Sequence, residues 1–188
     1  SKSLAIFCLA KPEIFSAICF FSQEKKTASP SLRLHILVIV FIALSEKYFA
    51  TGPDPIVLSL DFIIDKYQIL ESKIYQADCI LLILSILSDD QAIEFINYAN
   101  ELKLDCIIEV HDEDELKRAI KLDYPVIGIN NRNLKSLEIN LNNSINLNKN
   151  LTNDYILIAE SGIKTSDDIK KFNSTGIYNF LIGDSLLK

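Results

Sequence analysis

The sequence predicts an α/β chain of the (β/α)8 barrel type, a TIM barrel, and three observations carry that reading. From residue 55 onward, short apolar runs alternate with stretches of helical periodicity, the pattern of parallel strands joined by right-handed crossovers. The runs end in residues able to do chemistry: Glu109 closes one, Asn130 and Arg132 the next, then Glu160, Ser161 and Gly162, then Gly183, Asp184 and Ser185. In this fold the active site gathers at the C-terminal ends of the strands. No glycine-rich dinucleotide fingerprint accompanies any of the runs, which weakens the doubly wound alternative.

Taken in order, the elements are these. The stretch from Leu4 to Phe21 is apolar but broken by Lys11, Pro12 and Glu13. His35 to Leu44 is apolar apart from its histidine and reads as a buried barrel strand, since a membrane span needs about 18 or more apolar residues. IVLSLDF is a strand, and Lys66 to Gln76 a helix with Tyr67, Leu70, Ile74 and Tyr75 at helical spacing. CILLIL is apolar at every position, as a parallel strand covered by helices should be. Ser88-Asp89-Asp90-Gln91 is a capping box opening a helix whose stripe is Ile93, Ile96, Tyr98 and Leu102. CIIEV is the next strand, and Asp112 starts a helix carrying Leu116, Ala119 and Ile120. VIGI, an asparagine-rich stretch with a weaker helix near Ser144 to Leu151, and YILIA follow. Thr165-Ser166-Asp167-Asp168 opens another helix, and NFLIG is the last strand.

Composition fits one domain over 1–188. The chain is 49% hydrophobic and 23% charged, enough for one sizeable core. A net charge of −6 and a pI near 5.0 argue against nucleic acid or an anionic membrane as partner. Cys8, Cys19, Cys79 and Cys106 form no CxxC pair and lie mostly in apolar runs, as buried thiols of a reducing cytoplasm would. His35 and His111 stand singly, so no metal site is expected. A start at Ser1 with no methionine anywhere is what a piece of a longer protein would show.

Several of these strings resemble one family, the indole-3-glycerol-phosphate synthases of tryptophan biosynthesis. EKKTASPS resembles the family's first-strand motif, LSEKYF the end of its second strand, and VLSLDFIID its third. IIEVHDEDEL, IGINNRNL, AESGI and LIGDSLL match from the fourth strand on. The resemblance runs from Ser22 to Lys188 and is strongest after Asp61. It implies a carboxy-lyase that closes the indole ring of an anthranilate-bearing deoxyribulose phosphate, expelling carbon dioxide and water, without a cofactor. It further implies that Glu109 is the general base of dehydration, that Asn130 hydrogen-bonds the reacting sugar and that Lys47 holds an anionic group. Glu24, Lys26, Ser29, Arg132 and Glu160 would complete the substrate pocket. Ser161, Gly162, Gly183 and Asp184 would line the phosphate site, where backbone N–H groups must approach closely. The partner implied is a small sugar phosphate.

The chain departs from the family at three places. Leu60 stands where the family has its general-acid lysine before Asp-Phe, and a lost acid commonly lowers a rate about 10²–10⁴-fold. The stretches after Ser31 and Thr51 are too short for the first two barrel helices, so residues 1–54 are expected to hold two eroded βα units, and 55–188 strands three to eight. Ser45 also replaces an inward acidic residue. Last, the chain ends at Lys188, so the closing helix is expected to be missing. Two readings stand beside an impaired synthase: a catalytically silent remnant that binds a phosphorylated ligand, and another phosphate-binding barrel enzyme.

Overall fold

The computed structural model describes the backbone of residues 4–9, 16–22 and 37–40, and residues 56–152 and 154–182, with side chains from Val57 onward. A single nine-stranded sheet runs in chain order from β1 (Leu4–Leu9), β2 (Ser16–Ser22), β3 (Leu37–Val40) and β4 (Ile56–Ser59). It continues through β5 (Cys79–Ile83), β6 (Asp105–Val110), β7 (Val126–Asn130), β8 (Ile156–Glu160) and β9 (Asn179–Leu181). From β4 to β9 every pairing is parallel. These six strands alternate with α1 (Lys66–Ile74), α2 (Asp89–Glu101), α3 (Glu113–Lys121), α4 (Asn142–Asn148) and α5 (Ser166–Asn173). The result is a curled, incomplete barrel of the TIM type. No helix among the described residues is long and apolar enough to cross a membrane.

The β1–β2, β2–β3 and β3–β4 pairings are antiparallel, which successive βα units would not produce. A parallel connection needs a dozen or more residues, and only residues 10–15 separate β1 from β2. β3 does lie within the apolar run read as a strand. The places where the first two helices and the closing helix were expected fall outside the described residues.

Strand periodicity divides the core into two layers. Ile80, Leu82, Cys106, Ile108, Val110, Ile127, Ile129, Leu157 and Ala159 face outward and pack against helix residues such as Ile69, Phe95, Leu116 and Phe172. Leu58, Cys79, Leu81, Ile83, Ile107 and Ile158 form the inner layer, with Leu60, Val126 and Leu181 packed against it. Burying each such aliphatic side chain is worth about 1.5–3 kcal/mol. Cys79 and Cys106 are free and buried. Burial pushes both thiols up, Cys106 to about 12, so both stay as inert thiols.

The caps follow the sequence signals. Ser88 and Thr165 close full capping boxes with Gln91 and Asp168, and the Asp112 side chain accepts from the Glu115 N–H. Asp65 caps α1 with Gln68 in the same way. The expected stripes need correction. α1 buries Gln68, Ile69 and Ser72, while Tyr67, Leu70, Ile74 and Tyr75 face outward and are exposed. Ser72 explains the choice. Its hydroxyl donates to the Gln68 carbonyl and is hydrogen-bonded with Ser59 Oγ at 3.0 Å on β4, and Gln68 Nε2 donates to the Phe62 carbonyl. Satisfied polar groups thus occupy the face an apolar stripe would otherwise take. In α2 the buried residues are Ala92, Phe95, Ile96 and Ala99, and Ile93 is exposed.

Candidate active site

Because β4 to β9 are parallel, their C-terminal ends lie on one rim. Counting by twos from the inner-layer residues places the rim side chains. Ile107 leads to Glu109, Val126 to Gly128 and Asn130, Ile158 to Glu160, and Leu58 to Leu60. Glu109 and Glu160 are both buried. Asn130 Nδ2 donates to Glu109 Oε1 at 3.3 Å, and Asn130 Oδ1 accepts from the Arg132 N–H at 2.9 Å.

Gly128 makes room for this pair. A Cβ there would collide with Glu160 Oε1 and press on Ile107 Cγ2, so the Glu160 carboxyl occupies the space a side chain would fill. Burial is the main reason the Glu160 carboxyl stays protonated far above the usual carboxylate range. The Glu109 charge and a hydrogen bond between the two groups push the same way. Glu160 Oε1 has no hydrogen-bond partner among the described residues. A carboxyl that burial keeps neutral thus stands beside a second buried carboxyl, an arrangement suited to acid and base work at one centre.

A histidine completes the cluster. His111 follows β6 directly, two residues after Glu109, and its Nε2 lies 3.0 Å from Glu109 Oε1. That contact is a charge–charge approach, off the line of a good hydrogen bond. Its Nδ1 lies 3.0 Å from Glu115 Oε2, which also accepts the His111 backbone N–H at 2.8 Å. Burial works to lower the imidazole's affinity for a proton, but the Glu109 contact, the Glu115 hydrogen bond and the charges of both carboxylates prevail and raise its pKa to about 9. At neutral pH it is an imidazolium.

The loop after β7 divides its asparagines. Asn130 faces the inner rim, whereas Asn131 is buried as a latch. Its Nδ2 donates to the Glu160 and Ser161 carbonyls at 2.9 and 3.3 Å, and its Oδ1 accepts from Ser144 N and Oγ. Asn143 Nδ2 donates to the His111 and Asn130 carbonyls at 2.9 and 3.1 Å. Arg132 pairs with Ile139 in a short antiparallel bridge. After β8, Ser161 and Gly162 both take left-handed backbone, φ +65° and +82°. A side chain at Gly162 would also strike Ile139 Cγ2.

Glu109, Asn130 and Glu160 are thus brought into one cluster, with Arg132, Ser161 and Gly162 following on the same rim. Glu24, Lys26, Ser29, Lys47, Gly183 and Asp184 lie outside the described residues. Leu60 packs on the inner layer, and neighbouring Ser59 points instead to α1. The sequence reading missed His111 as the partner of Glu109 and Glu115 as the partner of His111. Their signals were the two-residue step from Glu109 along a strand and the four-residue step onto a helix.

A family model described as indole-3-glycerol phosphate synthase matches residues 49–188, a span that begins after Glu24, Lys26, Ser29 and Lys47. Proteins named indole-3-glycerol phosphate synthase from Legionella pneumophila (strain Paris) and Delftia acidovorans are 50% and 43% identical over 132 residues, 70% of this chain. The alignment covers 51% and 49% of those proteins, so the chain spans about half the length of the curated relatives it matches. Among solved structures, N-acetylmannosamine-6-phosphate 2-epimerase from Clostridium perfringens superposes with a TM-score of 0.52 at 14% identity, over 65% of this chain and 56% of that one. KGPDC from Streptococcus mutans gives a TM-score of 0.53 at 14% identity, over 70% and 63%. At such identities the likeness is one of fold.

Proposed function

Because the chain belongs to the indole-3-glycerol phosphate synthase family, we propose that it acts on 1-(2-carboxyphenylamino)-1-deoxyribulose 5-phosphate, closing the indole ring with loss of carbon dioxide and water. The observation that carries this reading is the buried Glu109–Glu160 pair with Asn130 at the inner rim. In this role Glu109 takes the proton released in dehydration, Asn130 hydrogen-bonds the reacting sugar, and Glu160 faces the same centre. Arg132, Glu24, Lys26 and Ser29 would complete the substrate pocket and Lys47 would hold an anionic group. Ser161, Gly162, Gly183 and Asp184 would hold the phosphate, with backbone N–H groups supplying the donors. The reading carries with it a cytoplasmic setting and no cofactor, nucleic acid or membrane.

Leu60 limits the rate. It lies on the inner layer, where a proton donor would face the substrate ketone, and leucine donates nothing. Leu60→Lys is expected to raise indole formation, followed by product fluorescence, by about two orders of magnitude or more, and Glu109→Gln in that background to abolish the gain. A folded Leu60→Lys protein with no gain would favour the second reading, which Leu60 itself supports: a silent remnant that binds a sugar phosphate. Saturable binding of ribulose 5-phosphate at millimolar concentration would then be what remains.

A further inference from the structure

The rim carries an imidazole that the proposed chemistry leaves without a task. Glu115, His111, Glu109 and Glu160 form one continuous chain of titratable groups. Glu115 Oε2 holds both His111 Nδ1 and the His111 backbone N–H, at 3.0 and 2.8 Å. His111 Nε2 faces Glu109 Oε1 at 3.0 Å, and Glu109 meets the Glu160 carboxyl on its other side. The His111 and Glu109 side chains are only 10% and 4% exposed, so water does little to screen the chain.

Three carboxylates and a neutral imidazole would leave three negative charges in this space. Protonating the imidazole pairs two of them. The second proton must settle on Glu109 or Glu160, since two adjacent buried carboxyls resist ionising together. The surroundings of the two groups are unequal. Glu109 Oε1 faces the imidazolium and accepts from Asn130 Nδ2, whereas Glu160 Oε1 has no donor among the described residues.

We propose that His111, anchored by Glu115, is a positioning residue that assigns the proton between the two carboxyls: it holds Glu109 as the carboxylate and leaves Glu160 as the neutral acid, so the rim keeps one acid and one base although Leu60 follows β4. The proton arrangement does not depend on the proposed function; only its use in catalysis rests on it. The other groups around the imidazole fit. Asp112 is engaged in capping α3 through the Glu115 N–H. Arg118 on α3 reinforces the Glu115 charge. Among the described residues, β7 and α4 contribute the neutral side chains of Asn130 and Asn143.

The test is carbon and nitrogen NMR of the labelled full chain without substrate. The His111 ring, identified by its loss in His111→Gln, is expected to titrate near 9, and the Glu160 carboxyl carbon to report a neutral acid at pH 7. Glu115→Gln and Glu109→Gln should each lower the His111 midpoint by about one unit or more. Glu115→Gln is the milder variant and remains informative should Glu109→Gln fail to fold. In the Leu60→Lys background, His111→Gln should move the acidic limb of the kcat/KM profile to higher pH, because Glu109 loses its cationic neighbour. A wild-type His111 midpoint near 6.5, or an ionised Glu160 carboxyl at pH 7, would overturn the proposal. Absent indole formation with the predicted titrations intact would sink only the catalytic reading.

Discussion

Neighbouring residues of one type end in opposite roles at this rim, and the parity of a strand decides which. Asn130 turns inward to Glu109, while Asn131 turns outward and ties the β8 end to Ser144 of α4. Gly128 shows the same parity through an absence: it lies inward, two residues before Asn130, and its missing side chain is replaced by the Glu160 carboxyl. Gly128→Ala is therefore expected to destabilise the fold by about 1–3 kcal/mol, the usual range for overpacking. Urea unfolding measures that loss, and the Glu160 carboxyl carbon should shift as the group is displaced. An unchanged midpoint and an unchanged carboxyl signal would show that Glu160 does not depend on the space at Gly128.

At the scale of elements, α1 shows why helical spacing alone picks the wrong face. Tyr67, Leu70 and Ile74 repeat as a buried stripe should, yet the helix turns them outward because Ser72, Gln68 and Ile69 meet β4 and its following loop. Periodicity identifies a face but not the neighbour that covers it. The two faces separate by mutation. Ile69→Ala should cost about 2–5 kcal/mol, as for a buried aliphatic deletion, whereas Leu70→Ser should stay within about 0.5 kcal/mol, as surface substitutions do. Thermal unfolding of the two variants checks this, and a larger loss from Leu70→Ser would reverse the assigned orientation.

For the whole molecule, the buried titratable chain couples stability to pH. His111 is raised from 6.5 to about 9 in the folded state, so its contribution is complete below 6.5 and lost as pH rises through about 9. Glu160 is raised as well, chiefly by burial. Its unfolded form ionises near the ordinary value of 4.5, so its contribution too declines as pH rises above that point. For Glu115, burial alone would raise the pKa, but the His111 bonds lower it, so its contribution is present above 4.5 and lost in acid. Stability should therefore be greatest near pH 4.5, where the Glu115 contribution is present and the Glu160 contribution has not begun to decline, and fall from there towards pH 9. Urea unfolding across this range measures the slope, and Glu160→Gln should flatten the part between pH 5 and 7. A wild-type stability that rises steadily from pH 5 to 9 would contradict the assigned shifts.

By itself the sequence determined the alternation of strand and helix from residue 56 on, the three caps at Ser88, Asp112 and Thr165, and the family to which the chain belongs. Those signals are local: a capping side chain bonds a backbone three residues away, and a parallel strand covered by helices is apolar at every position. It also marked Glu109, Asn130 and Glu160, because a polar residue closing an apolar strand stands out in one dimension. Tertiary structure alone decided which groups meet. That Glu160 fills the space at Gly128, that His111 lies between Glu109 and Glu115, and that α1 presents a polar face to β4 depend on strand register and on the curl of the sheet. Proton affinity follows from those meetings, since burial and neighbouring charge are properties of three-dimensional surroundings and not of residue type.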